Sequence, residues 1–191
     1  MARHNVREQI VEAGLKTLLK KGFNACGVRE ITDAAGVPTG SFYNHFASKE
    51  ALGAEIVERY GRENPRRKDL RDKALPPLER LRRHFAGLNQ MYADLEYGRG
   101  CLLGNFSAEL ADHSPLIRER LAALSASWTK DIEDAVRDAQ ADGSVSTKSD
   151  PADLAAFLLD AYEGALLRAR VEKSGAPLDR FMTIAFAHML A

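Results

Sequence analysis

The sequence has few cysteines, no long apolar run and no net charge, and each shortage excludes a class of protein. Two cysteines among 191 residues cannot form the disulfide framework of a small secreted domain. No apolar segment approaches the roughly 20 residues that span a bilayer, and the N-terminus lacks the apolar core of a secretory signal. With 45% hydrophobic and 28% charged residues, we expect a globular, cytoplasmic protein without a membrane segment.

Motifs of catalysis and of metal binding are also missing. The sequence contains no glycine-rich phosphate loop, no HExxH and no GxSxG. Its histidines have no metal-ligand spacing with acidic or thiol partners, so we expect neither a metal nor a cofactor, and no enzyme. The enzymatic alternative is a thiol-dependent scavenger of electrophiles, with Cys101 as nucleophile and His84 or His113 as base.

Strict alternation of polar and apolar residues, which marks half-buried strands, is absent as well, and apolar residues recur at helical spacing instead. We therefore predict an all-α protein with three N-terminal helices, a connecting helix over residues 49–61 and five further helices. The starts of those five are marked by proline or a polar turn, near Pro77, Cys101, Pro115, Pro151 and Leu178.

The most informative segment is Gly27–Lys49, GVREITDAAGVPTGSFYNHFASK, which has the spacing of a helix-turn-helix. Ile31, Ala34 and Ala35 are expected to form the apolar inner face of a short helix. Gly36 then ends that helix, because glycine accepts the left-handed backbone of a tight turn.

A second short helix should follow the turn. Pro38 suits its start, and Phe42 and Phe46 fall on its inner face. The outer positions carry small hydrogen-bonding or aromatic side chains, which a DNA major groove admits: Ser41, Tyr43, Asn44 and His45. The fourth helix should then begin after Ser48, which suits an N-cap.

The distribution of charge agrees with DNA binding although the net charge is zero. Residues 1–68 contain 12 Lys or Arg against 8 Asp or Glu, whereas residues 69–191 contain 15 against 19. The basic excess therefore coincides with the helix-turn-helix, as a surface that contacts phosphates requires.

Residues 5–60 closely resemble the DNA-binding domain of the TetR family of bacterial transcriptional regulators, and the resemblance extends in outline to the whole chain. It implies a DNA-binding domain over residues 1–48 and a helical ligand-binding and dimerisation domain over residues 49–191. A homodimer would bind a palindromic double-stranded DNA operator, as a repressor released by a small-molecule effector. A helical protein-interaction module is the non-catalytic alternative.

The resemblance also assigns the DNA contacts. Tyr43 and His45 would reach phosphates, and Lys49 would add a backbone contact. Family members often begin the second helix with Ser or Thr, whereas Gly27 occupies that position here. The full set of matching positions is Arg29, Thr39, Gly40, Ser41, Tyr43, His45 and Lys49, of which Thr39, Gly40 and Ser41 would face base edges.

The segment Gly98–Leu110, GRGCLLGNFSAEL, resembles a TetR subgroup that includes the repressor of N-ethylmaleimide reductase and the acrylate-responsive regulator, both with a cysteine at the position of Cys101. That subgroup responds to small electrophiles or unsaturated compounds. Cys101, Asn105 and Glu109 recur every four residues and so share one helix face. A position near a helix N-terminus would favour the thiolate of Cys101, or the thiol is a small buried hydrophobe.

Other effector contacts are proposed from composition and resemblance. Arg170 is a candidate cation for a thiolate or an acidic ligand, and Trp128 and Tyr162 are candidate pocket walls, although such aromatic residues often serve only as core. Cys26 is expected to be a packing residue.

The last two predicted helices, Ala152–Lys173 and Leu178–Leu190, carry apolar stripes that would suit a four-helix dimer interface. An intramolecular core is the other explanation. The residues of these stripes are Leu154, Phe157, Leu158, Ala161, Ala165, Phe181, Ile184, Ala185 and His188.

Overall fold

The computed structural model describes residues 5–62, 64–65 and 67–190, and within them the chain is helical without a β-strand. The helices are α1 (Val6–Lys21), α2 (Val28–Ala35), α3 (Thr39–Tyr43), α4 (Lys49–Arg62), α5 (Arg67–Arg71), α6 (Pro77–Asp94), α7 (Leu102–Leu110), α8 (Pro115–Ala141), α9 (Pro151–Glu172) and α10 (Ala176–Ile184), and a π-helical turn (Ala185–Met189) follows α10. The predicted all-α class is confirmed.

Two details differ from the sequence prediction. The short helix α5 was not predicted. The helix α6 ends at Asp94 rather than at Gly98, because Glu96 and Tyr97 adopt left-handed backbone angles, with φ of 50° and 53°. The connection to α7 therefore begins four residues earlier than expected.

The first compact unit comprises the described residues of 1–63 and 101–124, which contain α1 to α4, α7 and the first part of α8. The ion pairs Arg7–Glu55 and Arg59–Glu8 join α1 to α4 at its surface. Its core consists of fully buried apolar side chains from several helices, including Ile10, Leu18, Ile31, Phe42, Leu52, Ile56 and Phe106.

The second unit comprises the described residues of 64–100 and 125–191, with α5, α6, the rest of α8, α9 and α10. Aromatic rings fill its core: Phe85 lies 5.1 Å from Tyr162 and 4.9 Å from Phe181, measured between ring centroids. The almost fully buried Arg67 donates from Nε to Asp131 at 2.6 Å and so attaches α5 to α8. The predicted boundary between the DNA-binding domain and the ligand-binding domain, at residues 48 and 49, stays a prediction. The division into two compact units describes how the chain packs and does not test which part binds DNA or a ligand.

Candidate functional site

The turn between α2 and α3 has the backbone geometry of a helix-turn-helix. Gly36 is left-handed, at φ 69° and ψ 30°, and its N–H donates to Asp33 O at 3.1 Å. The N–H of Val37 donates to Thr32 O at 3.0 Å, so the turn satisfies carbonyls at the end of α2. The predicted role of Gly36 is confirmed, and α3 starts at Thr39 directly after the turn.

The inner face of α2 differs from the predicted one. Ala34 is exposed and Ala35 half-buried, whereas Thr32 is fully buried. Thr32 Oγ1 donates to Arg29 O at 2.9 Å and lies 3.2 Å from Thr39 Oγ1. A hydroxyl has one proton to donate, so the bond to Arg29 O makes Thr39 the donor in the threonine pair. The free lone pair of Thr39 is then an acceptor.

The helix α3 separates apolar and polar side chains as predicted. Phe42 and the following Phe46 are buried, with ring centroids 5.6 Å apart. Tyr43 is 62% exposed, and the position of a Cβ on Gly40 would meet no atom within 4 Å. The open surface of this segment comprises the exposed residues Thr39, Gly40, Tyr43, Asn44 and His45 and the half-buried Ser41.

The two cations assigned to the interface differ in their surroundings. The Arg29 side chain is exposed, and its Nε lies 3.9 Å from the carboxylate of Asp33, an exposed ion pair that holds it weakly. Lys49 Nζ instead donates to Phe23 O and to Cys26 O, both at 2.9 Å. Two of its three ammonium protons therefore bind the α1–α2 loop, and the phosphate contact of Lys49 stays a prediction.

Cys101 is the N-cap of α7, with extended backbone angles, and its side chain is only 2% exposed. Its Sγ lies 3.6 Å from Tyr60 Oη on α4. Sequence reasoning missed Tyr60, because the two residues are 41 positions apart and neither helix pattern signals the contact. The thiol thus has a polar neighbour at the helix start.

The other two residues on the predicted face of α7 are half-buried. Asn105 follows Cys101 by one turn and its N–H donates to Cys101 O at 3.0 Å. Glu109 binds the backbone of the α1–α2 loop: Oε1 accepts from the N–H of Phe23 at 3.1 Å, and Oε2 from the N–H of Asn24 at 2.8 Å. The carboxylate predicted to orient an effector is therefore bound to protein in this structure.

The remaining effector residues belong to the second unit. Trp128 is 1% exposed, and its Nε1 donates to His84 Nε2 at 3.0 Å. Tyr162 is fully buried, and its hydroxyl donates to Asn89 Oδ1 at 3.1 Å. Arg170 is half-buried. Trp128 and Tyr162 are hydrogen-bonded parts of a core, and contact of all three side chains with an effector stays a prediction.

Cys26 lies at the end of the α1–α2 loop and is 1% exposed. Burial, followed by the nearby negative charge of Glu30, raises the pKa of the Cys26 thiol. Because the thiolate is the nucleophile, the raised pKa lowers the reactivity of Cys26 toward electrophiles.

The helices α9 and α10 line an apolar groove of about 300 Å³ in the second unit. Phe157 and Ile184 on its walls are 58% and 52% exposed. Two more large apolar side chains of α9, Leu167 and Val171, are also exposed. An exposed apolar groove is typical of surfaces that contact another molecule.

Two classes of site are not found in the described ranges. No group of three or more His, Cys, Asp or Glu side chains in them is placed to hold a metal ion. None of their helices is long and apolar enough to cross a membrane.

Comparison with known protein families finds a match for the N-terminal part of the chain and another for the C-terminal part. Residues 10–56 match the model of the bacterial regulatory proteins of the tetR family, and residues 77–185 match a tetracyclin repressor-like C-terminal domain. The chain belongs to the TetR family. The helix-turn-helix of α2 and α3 is therefore a DNA-binding element, and TetR-family repressors bind DNA and small effectors and act as dimers.

Three TetR-family regulators illustrate the similarity. The HTH-type transcriptional repressor DhaR of Mycobacterium sp. (strain GP1) is 38% identical over 100% of this chain and 95% of its own. The transcriptional regulator AcuR of Cereibacter sphaeroides is 36% identical over 91% of this chain and 80% of its own. The repressor NemR of Escherichia coli (strain K12) is 28% identical over 97% and 92%. The crystal structure of reduced E. coli NemR superimposes with a TM-score of 0.83, at 26% identity and 95% coverage of each chain.

Proposed function

We propose that this TetR-family protein is a cytoplasmic repressor that binds a palindromic operator as a homodimer and is released by a small electrophile or unsaturated acid sensed near Cys101. The observation that carries DNA recognition is the exposed polar surface of α3, held on the buried side by Phe42 and Phe46. Full-length similarity to DhaR, a repressor, supports the direction of regulation.

The geometry of α3 gives each contact a role. Tyr43 and His45 are exposed and carry hydrogen-bond donor groups, which suit phosphate oxygens. Gly40 leaves room for the backbone to approach base edges. Thr39 donates its hydroxyl proton to Thr32 Oγ1 and so offers only an acceptor to DNA, which favours the amino groups of adenine or cytosine in the major groove. The Ser41 hydroxyl can either donate or accept a hydrogen bond, so it suits more than one base.

Dimerisation is assigned to the groove of α9 and α10. A second copy related by a two-fold axis would cover Phe157 and Ile184 of each chain with the same face of its partner. The resulting pair of α3 helices would read two half-sites of an inverted repeat.

The effector is assigned from the NemR likeness and from the place of Cys101. The thiolate adds to an electrophile with an activated C=C bond: the S–C bond forms as the C=C π bond breaks, and the adjacent carbon takes a proton from water, which replaces the proton that the thiol gave to water. No group leaves, so one equivalent is consumed for each thiol. Turnover of the electrophile by the purified protein would instead favour a scavenging enzyme.

The function is tested by selecting bound duplexes from a random DNA pool and then adding N-ethylmaleimide or short unsaturated acids to the complex. We expect one inverted repeat to be enriched and the complex to dissociate on treatment. Enrichment of no sequence would refute the DNA-binding assignment, whereas enrichment without release would refute the effector class alone.

Tyr43→Phe separates phosphate contacts from base contacts. The variant keeps the ring that packs against Phe42 and removes only the hydroxyl. Hydrogen bonds to charged groups contribute about 1.5–3 kcal/mol, so we expect operator and non-operator DNA to lose roughly 10- to 100-fold in affinity for each subunit of the dimer, measured by fluorescence anisotropy. Ser41→Ala serves as the comparison and should change preference at one base position. Weakening by Tyr43→Phe for the operator alone would contradict a phosphate contact.

A further inference from the structure

The contact of Glu109 with the α1–α2 loop lies outside the residues assigned to DNA. Each carboxylate oxygen accepts one of two successive backbone N–H groups, from Phe23 at 3.1 Å and from Asn24 at 2.8 Å. Hydrogen bonds to an ionised acceptor are roughly twice as strong as neutral ones. Glu109 therefore attaches the end of α7 to a loop 85 residues away in sequence.

Gly22 is shaped for this contact. Its φ of +88° is the left-handed region that favours glycine, and the N–H groups that follow it point to the Glu109 carboxylate. A Cβ on Gly22 would lie 2.6 Å from Glu109 Oε1. Both the backbone angle and the close approach require glycine at this position, so the sequence of the loop is suited to the contact with Glu109.

Lys49 holds the same loop from α4. Its Nζ donates to the carbonyls of Phe23 and Cys26 and lies 4.2 Å from the centroid of the Phe23 ring. Phe106 on α7 contacts that ring edge-to-face, with centroids 5.6 Å apart. The backbone N–H of Phe23 is thus bound by one helix and its C=O by another. We call Glu109 and Lys49 the loop clamp.

The loop leads directly into the recognition motif. Gly27 follows Cys26 and is the N-cap of α2, where its carbonyl accepts from the N–H of Ile31 at 3.2 Å. The helix α2 then meets α3 through the hydroxyls of Thr32 and Thr39. Moving the loop therefore moves the start of α2, and with it α3.

The other end of α7 carries Cys101. Glu109 lies eight positions after Cys101, which at 1.5 Å per residue is about 12 Å along the helix. A displacement of the buried N-cap is passed to Glu109 as a shift of the whole short helix. All these residues belong to the first compact unit.

We propose that Glu109 is a positioning residue for DNA binding: with Lys49 it clamps the α1–α2 loop in the operator-binding arrangement and couples α7 to the helix-turn-helix. The part that concerns release rests on the proposed function, in which an effector acts near Cys101. Modification there shifts α7 and withdraws the carboxylate from the loop, and operator affinity falls.

The test variant is Glu109→Gln, which keeps the shape of the side chain. An amide offers one oxygen, and its NH₂ group faces a backbone N–H that also donates, so one of the two bonds is lost. Glu119→Gln is the matched control, because Glu119 is exposed on α8 in the same unit and loses the same charge. Operator dissociation constants are measured for each dimer with and without N-ethylmaleimide.

We expect Glu109→Gln to weaken operator binding by roughly fivefold or more without the effector, and to reduce the further weakening that N-ethylmaleimide causes by a similar factor. Glu119→Gln should leave both quantities within about twofold of the wild type. A residue with a merely structural role would lower affinity or stability and leave the ratio with and without the effector unchanged. If N-ethylmaleimide releases the wild type, an unchanged ratio for Glu109→Gln would overturn the coupling of α7 to the helix-turn-helix. An equal loss of affinity in the control would overturn the positioning role.

Hydrogen exchange of the Phe23 and Asn24 amides provides a second measurement that does not need DNA. Treatment with N-ethylmaleimide should lower their protection in the wild type, and Glu109→Gln should lower it before treatment. Protection that is unaffected by Glu109→Gln would overturn the clamp even if the variant no longer binds DNA. If the wild type binds its operator but no electrophile releases it, the effector assignment fails, while the affinity and exchange of Glu109→Gln still decide the positioning role.

Discussion

Phe157→Glu is expected to convert the dimer into monomers and to weaken operator binding on the order of 1000-fold. Phe157 is 58% exposed on the wall of the α9–α10 groove, where a two-fold axis would bring the groove of a second copy against it. A glutamate there would lose apolar contact area and place a charge in the interface, once in each chain. The large loss of affinity follows because joining two half-site contacts multiplies binding by about 10²–10⁴.

Sedimentation equilibrium gives the mass of the variant, and fluorescence anisotropy its affinity for the operator. The matched control is Leu116→Glu, since Leu116 is 41% exposed in the first turn of α8 and does not line the groove. The control should remain dimeric and bind normally. A Phe157→Glu protein that is still a dimer would place the interface on another face.

The helix α5 illustrates where sequence patterns are insufficient. Its five residues are too few to be stable alone, because a short helix forms fewer hydrogen bonds than its nucleation requires. Its stability comes from Arg67, whose guanidinium binds Asp131 and the carbonyl of Ser127, about 60 positions later in the chain. No local window contains that partner, whereas long helices such as α8 and α9 are evident from their own periodicity and their proline starts.

The helix-turn-helix was predictable because its determinants are local. Gly36 and the apolar positions of α3 act within a few residues of one another, and both lie as expected. Thr32 was not expected in the core in place of Ala34, since apolarity alone favours alanine. The hydrogen bonds of its hydroxyl to Arg29 O and Thr39 Oγ1 offset the cost of burying it.

The roles of charged residues depend more on partners that are distant in the sequence than the helix-turn-helix does. Spacing placed Glu109 on the same helix face as Cys101, but spacing cannot reveal that two backbone N–H groups of the α1–α2 loop lie opposite it. Likewise, resemblance assigned Lys49 to DNA, which stays a prediction, but it gave no sign that the same ammonium group binds two loop carbonyls. The sequence position of a charged side chain therefore does not identify its hydrogen-bond partner, which becomes known only from the tertiary contacts.

Cys101→Ser is expected to bind the operator normally and to lose release by N-ethylmaleimide. Serine has nearly the size of cysteine and is a favourable N-cap, so α7 should form as before. The thiol that forms the S–C bond is absent, and the weakening of operator affinity caused by the reagent should fall by at least about tenfold. Because Cys101 is only 2% exposed, a maleimide attached to it cannot fit without moving α7 or the neighbouring Tyr60.

Cys26→Ser is the matched control, since Cys26 is equally buried and its pKa is raised by burial. It should respond as the wild type does, and mass spectrometry of the treated wild type should find the adduct on Cys101. Burial also predicts that labelling is slower than for a free thiol, because the reagent reaches Cys101 only when the N-cap opens locally. Normal release of Cys101→Ser together with loss in Cys26→Ser would assign sensing to Cys26. Normal release of both would mean that the effector binds without a covalent bond and that Cys101 is a packing residue.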